Sequence, residues 1–170
     1  MPDVVLKAEH VTKRFGGITA LEDAQLELYK GEVHALVGAN GAGKSTLIKI
    51  ITGAYSSDEG DIYLDGQKVD IKSTFDARAK GISAVYQEFS LINTVSVAEN
   101  IYMGKLLYNN LGPIPRADWK RMNEETQKIL NSLGVKNIKP ETIVGRLSVA
   151  QKQMVEIAKA LSNDLKVLIM

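Results

Sequence analysis

The chain has 170 residues with 21 basic against 20 acidic side chains, a net charge of +1, so it is sized for one domain with a real core and carries no charge excess that would favour nucleic acid. It has no cysteine, which excludes disulfides and cysteine-ligated metals, and its two histidines, His10 and His34, are isolated in stretches that read as strand. No apolar run approaches the roughly 20 residues that cross a bilayer, and Met1-Pro2-Asp3-Val4 lacks the basic and apolar regions of a signal peptide, so a soluble chain is expected.

Val4 to about His10 and Ala20 to Tyr29 read as strands; in the second, Ala24, Leu26 and Leu28 alternate with Gln25 and Glu27, giving one apolar and one wet face. Between them, Phe15-Gly16-Gly17-Ile18-Thr19 reads as a loop. Phe15 is there either a platform on which a base stacks or a ring that closes the edge of the core. Lys30-Gly31 turns the chain into Val33-His34-Ala35-Leu36-Val37, an apolar run expected to be a buried strand.

The run Gly38-Ala39-Asn40-Gly41-Ala42-Gly43-Lys44-Ser45-Thr46 matches the phosphate-binding loop G-x-x-x-x-G-K-[ST]. Leu47, Ile48, Ile50 and Ile51 then give a helix its apolar face. The glycines let successive backbone N–H groups converge on a polyphosphate, and the helix N-terminus adds its own unpaired donors and dipole. Lys44 is placed to reach β- and γ-phosphates, Ser45 to join a Mg²⁺ shell and Thr46 to bond a nearer phosphate. Asn40 and Ala42 complete the cradle.

Gly53 ends that helix. Asp61-Ile62-Tyr63-Leu64, Asp65-Gly66 and Gln67-Lys68-Val69 read as a hairpin with an Asp-Gly turn. Ser73 with Asp76 caps a short helix ending near Lys80-Gly81, and Ile82-Ser83-Ala84-Val85-Tyr86 reads as a strand leading into Gln87-Glu88-Phe89. A polar residue at the end of a buried strand is where α/β proteins commonly place ligand contacts. Ser96 and Glu99 form a capping box for a helix to about Met103, and residues 108–115 are a turn-rich connector. Asp118 caps a helix with Trp119, Met122, Thr126, Ile129, Leu130 and Leu133 on one face, stopped by Gly134. Ser148 and Gln151 fit another capping box, opening a helix whose expected buried stripe is Ala150, Met154, Ile157, Ala158 and Leu161. Leu165 to Met170 is an apolar strand.

Taken in order, Phe15, the phosphate loop, Gln87 after a strand, two helices and Leu147-Ser148-Val149-Ala150-Gln151 opening a further helix resemble the ATP-binding cassette (ABC) transporter ATPases, from about Leu6 to Met170. The stretches 15–21, 31–36, 96–101 and 153–161 are similar to those of bacterial importers for ribose, galactose, arabinose and related sugars. The fold implied is α/β: an ABC-type phosphate-loop NTPase core with an antiparallel β-subdomain and a helical subdomain at about 90–160, in one nucleotide-binding domain over 1–170.

The resemblance also implies roles. Phe15 stacks adenine of ATP. Gln87 touches Mg²⁺ and the attacking water. Residues 88–104 dock a transmembrane permease, which works with a sugar-binding protein and holds this cytoplasmic chain at the inner face of the membrane. Ser148 and Gln151 belong to a signature that closes over ATP held by a second cassette, fused in the same chain. Val149 and Ala150 stand where that signature usually has glycines, so two β-carbons crowd the phosphate. The family's metal-organising Asp, general-base Glu and switch His follow the apolar strand that here ends at Met170. The expectation is therefore a cassette incomplete at its C-terminal end, which binds ATP without efficient hydrolysis. Two other readings compete: a phosphate-loop kinase or GTPase, which leaves Ser148 to Gln151 unexplained, and a non-catalytic chain that self-associates.

Overall fold

The computed structural model describes residues 3–86, 88–109 and 115–170, and they fall into two compact units, one within Met1–Ala84 and Leu165–Ile169, the other within Val85–Asp164 with Met170. In the first unit, β1 (Val4–Phe15), β2 (Ile18–Tyr29), β3 (Glu59–Leu64) and β4 (Gln67–Val69) form an antiparallel sheet in the order β2-β1-β3-β4. Helix α1 (Lys44–Ile51), helix α2 (Thr74–Ala79) and strand β5 (Ile82–Ala84) follow, and β5 pairs in parallel with the last strand, Val167–Ile169.

Alternation explains the sheet. Leu6, Ala8 and Val11 of β1 are fully buried, with Leu6 opposite Leu28 and Leu64 and Ala8 opposite Leu26 and Ile62. Helix α1 lays Leu47, Ile50 and Ile51 into the same cluster, so the helix that follows the phosphate loop is fixed by apolar burial along its length. The wet face carries ion pairs, with Lys7 bridging Glu9 at 2.6 Å and Glu27 at 2.9 Å. The Asp65-Gly66 turn sits where expected, joining Leu64 to Gln67.

In this unit three expectations are corrected. Phe15 to Thr19 is no open loop: Phe15 is the last residue of β1, paired with Ile18 across a two-residue turn in which Gly16 and Gly17 have φ of 52° and 87°, values that suit glycine. Val33–Val37 is no buried strand. Val33 and Val37 are 102% and 88% exposed, and the segment, His34 included, has no regular structure. A parallel strand exists only where a neighbour completes its ladder, and among the described residues β5 pairs with Val167–Ile169 instead. Strand β5 also stops at Ala84, short of Tyr86.

The second unit holds α3 (Val97–Tyr102), the small hairpin β6 (Tyr108–Asn109) and β7 (Arg116–Ala117), α4 (Trp119–Ser132) and α5 (Val149–Leu161), with a single 3₁₀ turn at Val144–Arg146 before α5. Val97, Ile101, Met122, Leu130, Val144, Val155 and Ala158 form its core. Trp119 is exposed, because α4 buries only Met122, Thr126 and Leu130 completely. On α5, Ala158 is buried and Met154 packs against the core as expected, but Ala150 and Leu161 are exposed, and Val155, Glu156 and Ala160 are buried in addition. The polar side of the buried surface has a purpose: Glu156 accepts hydrogen bonds from the Ser90 backbone N–H and hydroxyl, and Lys152 donates to Asn93 at 2.9 Å.

Asn100, 1% exposed, completes this arrangement. Its Oδ1 accepts from the Ile92 N–H at 2.7 Å and its Nδ2 donates to the Ile92 and Ser96 carbonyls at 3.0 Å each. Ser96 and Glu99 form the expected capping box at α3, and Asp118 accepts from the Arg121 N–H at 3.0 Å to cap α4. Among the described residues, no helix is long and apolar enough to cross a membrane.

Candidate functional site

The phosphate loop ends on Gly43, the N-cap of α1, at φ 81°. A β-carbon there would lie 2.7 Å from Leu21 Cδ1 and 2.9 Å from the Ala20 carbonyl oxygen. Only glycine fits both the left-handed backbone and this approach to the start of β2. Close packing therefore holds the loop against the hairpin that ends in Phe15. Beyond Gly43, the first intrahelical bond runs from the Leu47 N–H to the Gly43 carbonyl at 2.9 Å, so the first-turn N–H groups of Lys44, Ser45 and Thr46 have no intrahelical acceptor.

Lys44 curls back into the loop, where its ammonium donates to the carbonyls of Gly38 at 2.7 Å and Ala39 at 2.8 Å. Residues Gly38, Asn40, Gly41 and Ala42 are exposed around it, Ser45 presents an exposed hydroxyl, and Thr46 is half-buried. A cation set in an exposed glycine-rich loop at a helix N-terminus is suited to a polyphosphate. Mg²⁺ keeps much of its water and takes one or two protein oxygens together with substrate phosphates, a demand that the Ser45 hydroxyl at the mouth of the loop fits.

Phe15 is 41% exposed, and Lys13 holds its ammonium 5.4 Å from the ring centroid. The Tyr55 ring meets it edge to face, centroids 5.2 Å apart and planes at 69°. Asp58 ties the strand end down, accepting from Lys13 Nζ at 2.8 Å and from the Arg14 N–H at 2.6 Å, while Arg14 pairs with Glu59 at 2.6 Å. Sequence reading missed Tyr55, Lys13 and Asp58; the only local signal was an aromatic residue in the turn after the phosphate-loop helix.

The Lys13 hydrogen bond, followed by the Arg14 N–H, holds the Asp58 carboxyl below its ordinary value. A depressed carboxylate pKa contributes stability that is complete above the unfolded-state value and is lost as pH falls through the folded one. Followed by NMR, the Arg14 amide is thus expected to titrate with a midpoint below about 3.9, the ordinary aspartate value, and Asp58→Asn is expected to remove that step. A midpoint at or above the ordinary value would refute the clamp.

Gln87 lies outside the described residues. Ser148 and Gln151 belong to the second unit and bond reciprocally, the Gln151 N–H to Ser148 Oγ at 3.3 Å and the Ser148 N–H to Gln151 Oε1 at 2.9 Å. Val149 at this helix start is 70% exposed. A cavity of about 300 Å³ opens on the first unit, lined by Val4, Lys7, Glu9, Glu27, Tyr63 and Gly66. None of these belongs to the phosphate loop. Hydrogen bonds to Glu9 and Glu27 raise the Lys7 pKa, so its charge is already matched.

The pattern of the family described as ABC transporter matches residues 21–170. The putative ribose/galactose/methyl galactoside import ATP-binding protein 1 of Burkholderia ambifaria is 49% identical over 166 residues, covering 98% of this chain and 31% of the relative. The ribose import ATP-binding protein RbsA of Caldanaerobacter subterraneus is 43% identical, covering 98% of this chain and 33% of the relative. The chain thus spans about a third of the length of the curated relatives it matches. Among solved structures, a nucleotide-free ATP-binding cassette from an ABC transporter superposes with a TM-score of 0.79 at 30% identity, over 97% of this chain and 67% of that one. The ADP conformation of an ATP-binding cassette gives 0.80 at 29% identity, with the same coverage.

Proposed function

Because the chain belongs to the ABC transporter family, we propose that it forms the ATP-binding part of a bacterial sugar importer, where ATP binding and hydrolysis in the whole protein drive passage through a permease. The observation that carries this reading is Lys44 held inside the exposed loop Gly38–Thr46, at the N-terminus of a helix anchored by its apolar side. The loop N–H groups and Lys44 bind the β- and γ-phosphates, and Thr46 a nearer one. Ser45, with Gln87, holds Mg²⁺, which when bound supplies charge neutralisation at the phosphate oxygens. Phe15 stacks the adenine.

The second unit serves as the helical subdomain, at about 90–160. Residues 88–104 face the permease subunits, which are fed by a sugar-binding protein, and the protein is held through them at the inner face of the membrane. Ser148 and Gln151, at an exposed capped helix start, close over nucleotide held by a second cassette. A helix start capped by Ser148 still leaves other N–H groups for an anion. Val149 and Ala150 put β-carbons at that surface, which weakens this half of a paired site.

Binding and turnover of ATP and GTP test the reading, with tripolyphosphate as a base-free control. ATP is expected to be preferred, and Phe15→Ala to weaken ATP by about tenfold while sparing tripolyphosphate, in line with stacking worth roughly 1–3 kcal/mol per base. A preference for GTP, or phosphate transfer to a small acceptor, would point instead to another phosphate-loop class. Equal loss of both ligands would make Phe15 a core residue.

A further inference from the structure

The phosphate helix reaches the base platform from its other end. After α1 the chain turns back on the helix, with the Ala54 and Tyr55 N–H groups both donating to the Lys49 carbonyl, at 2.8 Å and 3.0 Å. The Lys49 ammonium lies 5.1 Å from the Tyr55 ring centroid and 3.4 Å from its hydroxyl. Tyr55 is therefore fixed on α1 by backbone and side chain together, and its ring meets Phe15 edge to face at 5.2 Å.

Phe15 needs such a brace. It ends β1 beside a two-glycine turn, and much of its ring is exposed. Lys13 and Arg14, held by Asp58, fix the backbone up to the ring. The described contact that sets the ring itself against another aromatic is Tyr55. The helix that presents Lys44 to a phosphate at its start thus presents Tyr55 to Phe15 at its end.

We propose that Tyr55 is a positioning residue for nucleotide binding: clamped to α1 through Lys49, it sets the plane of Phe15 and so registers the base platform against the phosphate site. This rests on the reading of Phe15 as the base platform. The ligand concerned is an adenine nucleotide, and the effect belongs to the base, not to the phosphates.

The test measures ATP and tripolyphosphate affinity in the full chain for Tyr55→Ala, Tyr55→Phe and Phe15→Ala. Tyr55→Ala is expected to weaken ATP about three- to tenfold, the scale of one aromatic pair, with tripolyphosphate unchanged. Tyr55→Phe keeps the ring and is expected to restore ATP affinity to within about twofold of the parent. In the Phe15→Ala background, Tyr55→Ala should cost nothing further. If Phe15→Ala weakens ATP while Tyr55→Ala does not, the brace is refuted and the platform stands. If Tyr55→Ala weakens both ligands equally, its role is in the fold of α1 and the proposal fails. If Phe15→Ala leaves ATP affinity unchanged, the platform fails and the brace with it.

Discussion

Lys44→Ala is expected to weaken ATP and tripolyphosphate together, by about 100-fold or more. A charged hydrogen bond contributes about 1.5–3 kcal/mol, and Lys44 is placed to make more than one to the phosphate oxygens. The parallel loss of both ligands separates this residue from Phe15, whose removal should discriminate between them. In the structure Lys44 gives two of its three ammonium donors to the carbonyls of Gly38 and Ala39, so making more than one bond to an anion requires releasing at least one of those acceptors. Because these bonds are exposed, their loss in the mutant should change thermal stability by about 1 kcal/mol or less. Titration calorimetry checks the affinities and a melting curve the fold; undiminished ATP affinity in a folded variant would remove the basis of the phosphate-loop reading.

Gly43→Ala should act on the fold as well as the ligand. A left-handed backbone costs a residue with a β-carbon about 1–2 kcal/mol. Overpacking against Leu21 and Ala20 adds about 1–3 kcal/mol. The contact with the Ala20 carbonyl at 2.9 Å is with backbone, which cannot swing aside as a Leu21 side chain can. Denaturant unfolding is expected to show a total loss of about 2–5 kcal/mol, with tripolyphosphate binding reduced in whatever remains folded. Truncating Leu21 in the same background should recover only part of the cost, since the Ala20 contact and the backbone angle stay. A variant as stable as the parent would mean that the loop does not rest on β2 as described.

What was legible in the sequence was local chemistry. The capping boxes at Ser96–Glu99 and Ser148–Gln151, the Asp118 cap and the Asp65-Gly66 turn depend on residues within three positions of one another, and each forms as read. The start of α1 straight after the glycine run was legible for the same reason. Val33–Val37 was misread because apolarity marks a candidate strand but cannot supply the neighbour that a ladder requires. The α5 stripe was read only in part: Ala158 and Met154 face the core, but Glu156, a charged side chain, is buried where it accepts from the Ser90 N–H, a demand no periodicity reveals. Tyr55 went unseen because its partner, Phe15, lies on a strand far back in the chain.

The stretch from Ser90 to Ser96 has no regular secondary structure, yet Glu156 and Lys152 of α5 and Asn100 of α3 grip its backbone and side chains. The Ser90 and Ile92 amides are held by side chains that belong to α5 and α3. In the language of cooperative unfolding, hydrogen exchange at these two amides is expected to follow the opening of α5 and α3. A load applied at this loop is borne by two helices at once, so what looks like a connector behaves mechanically as a rigid handle.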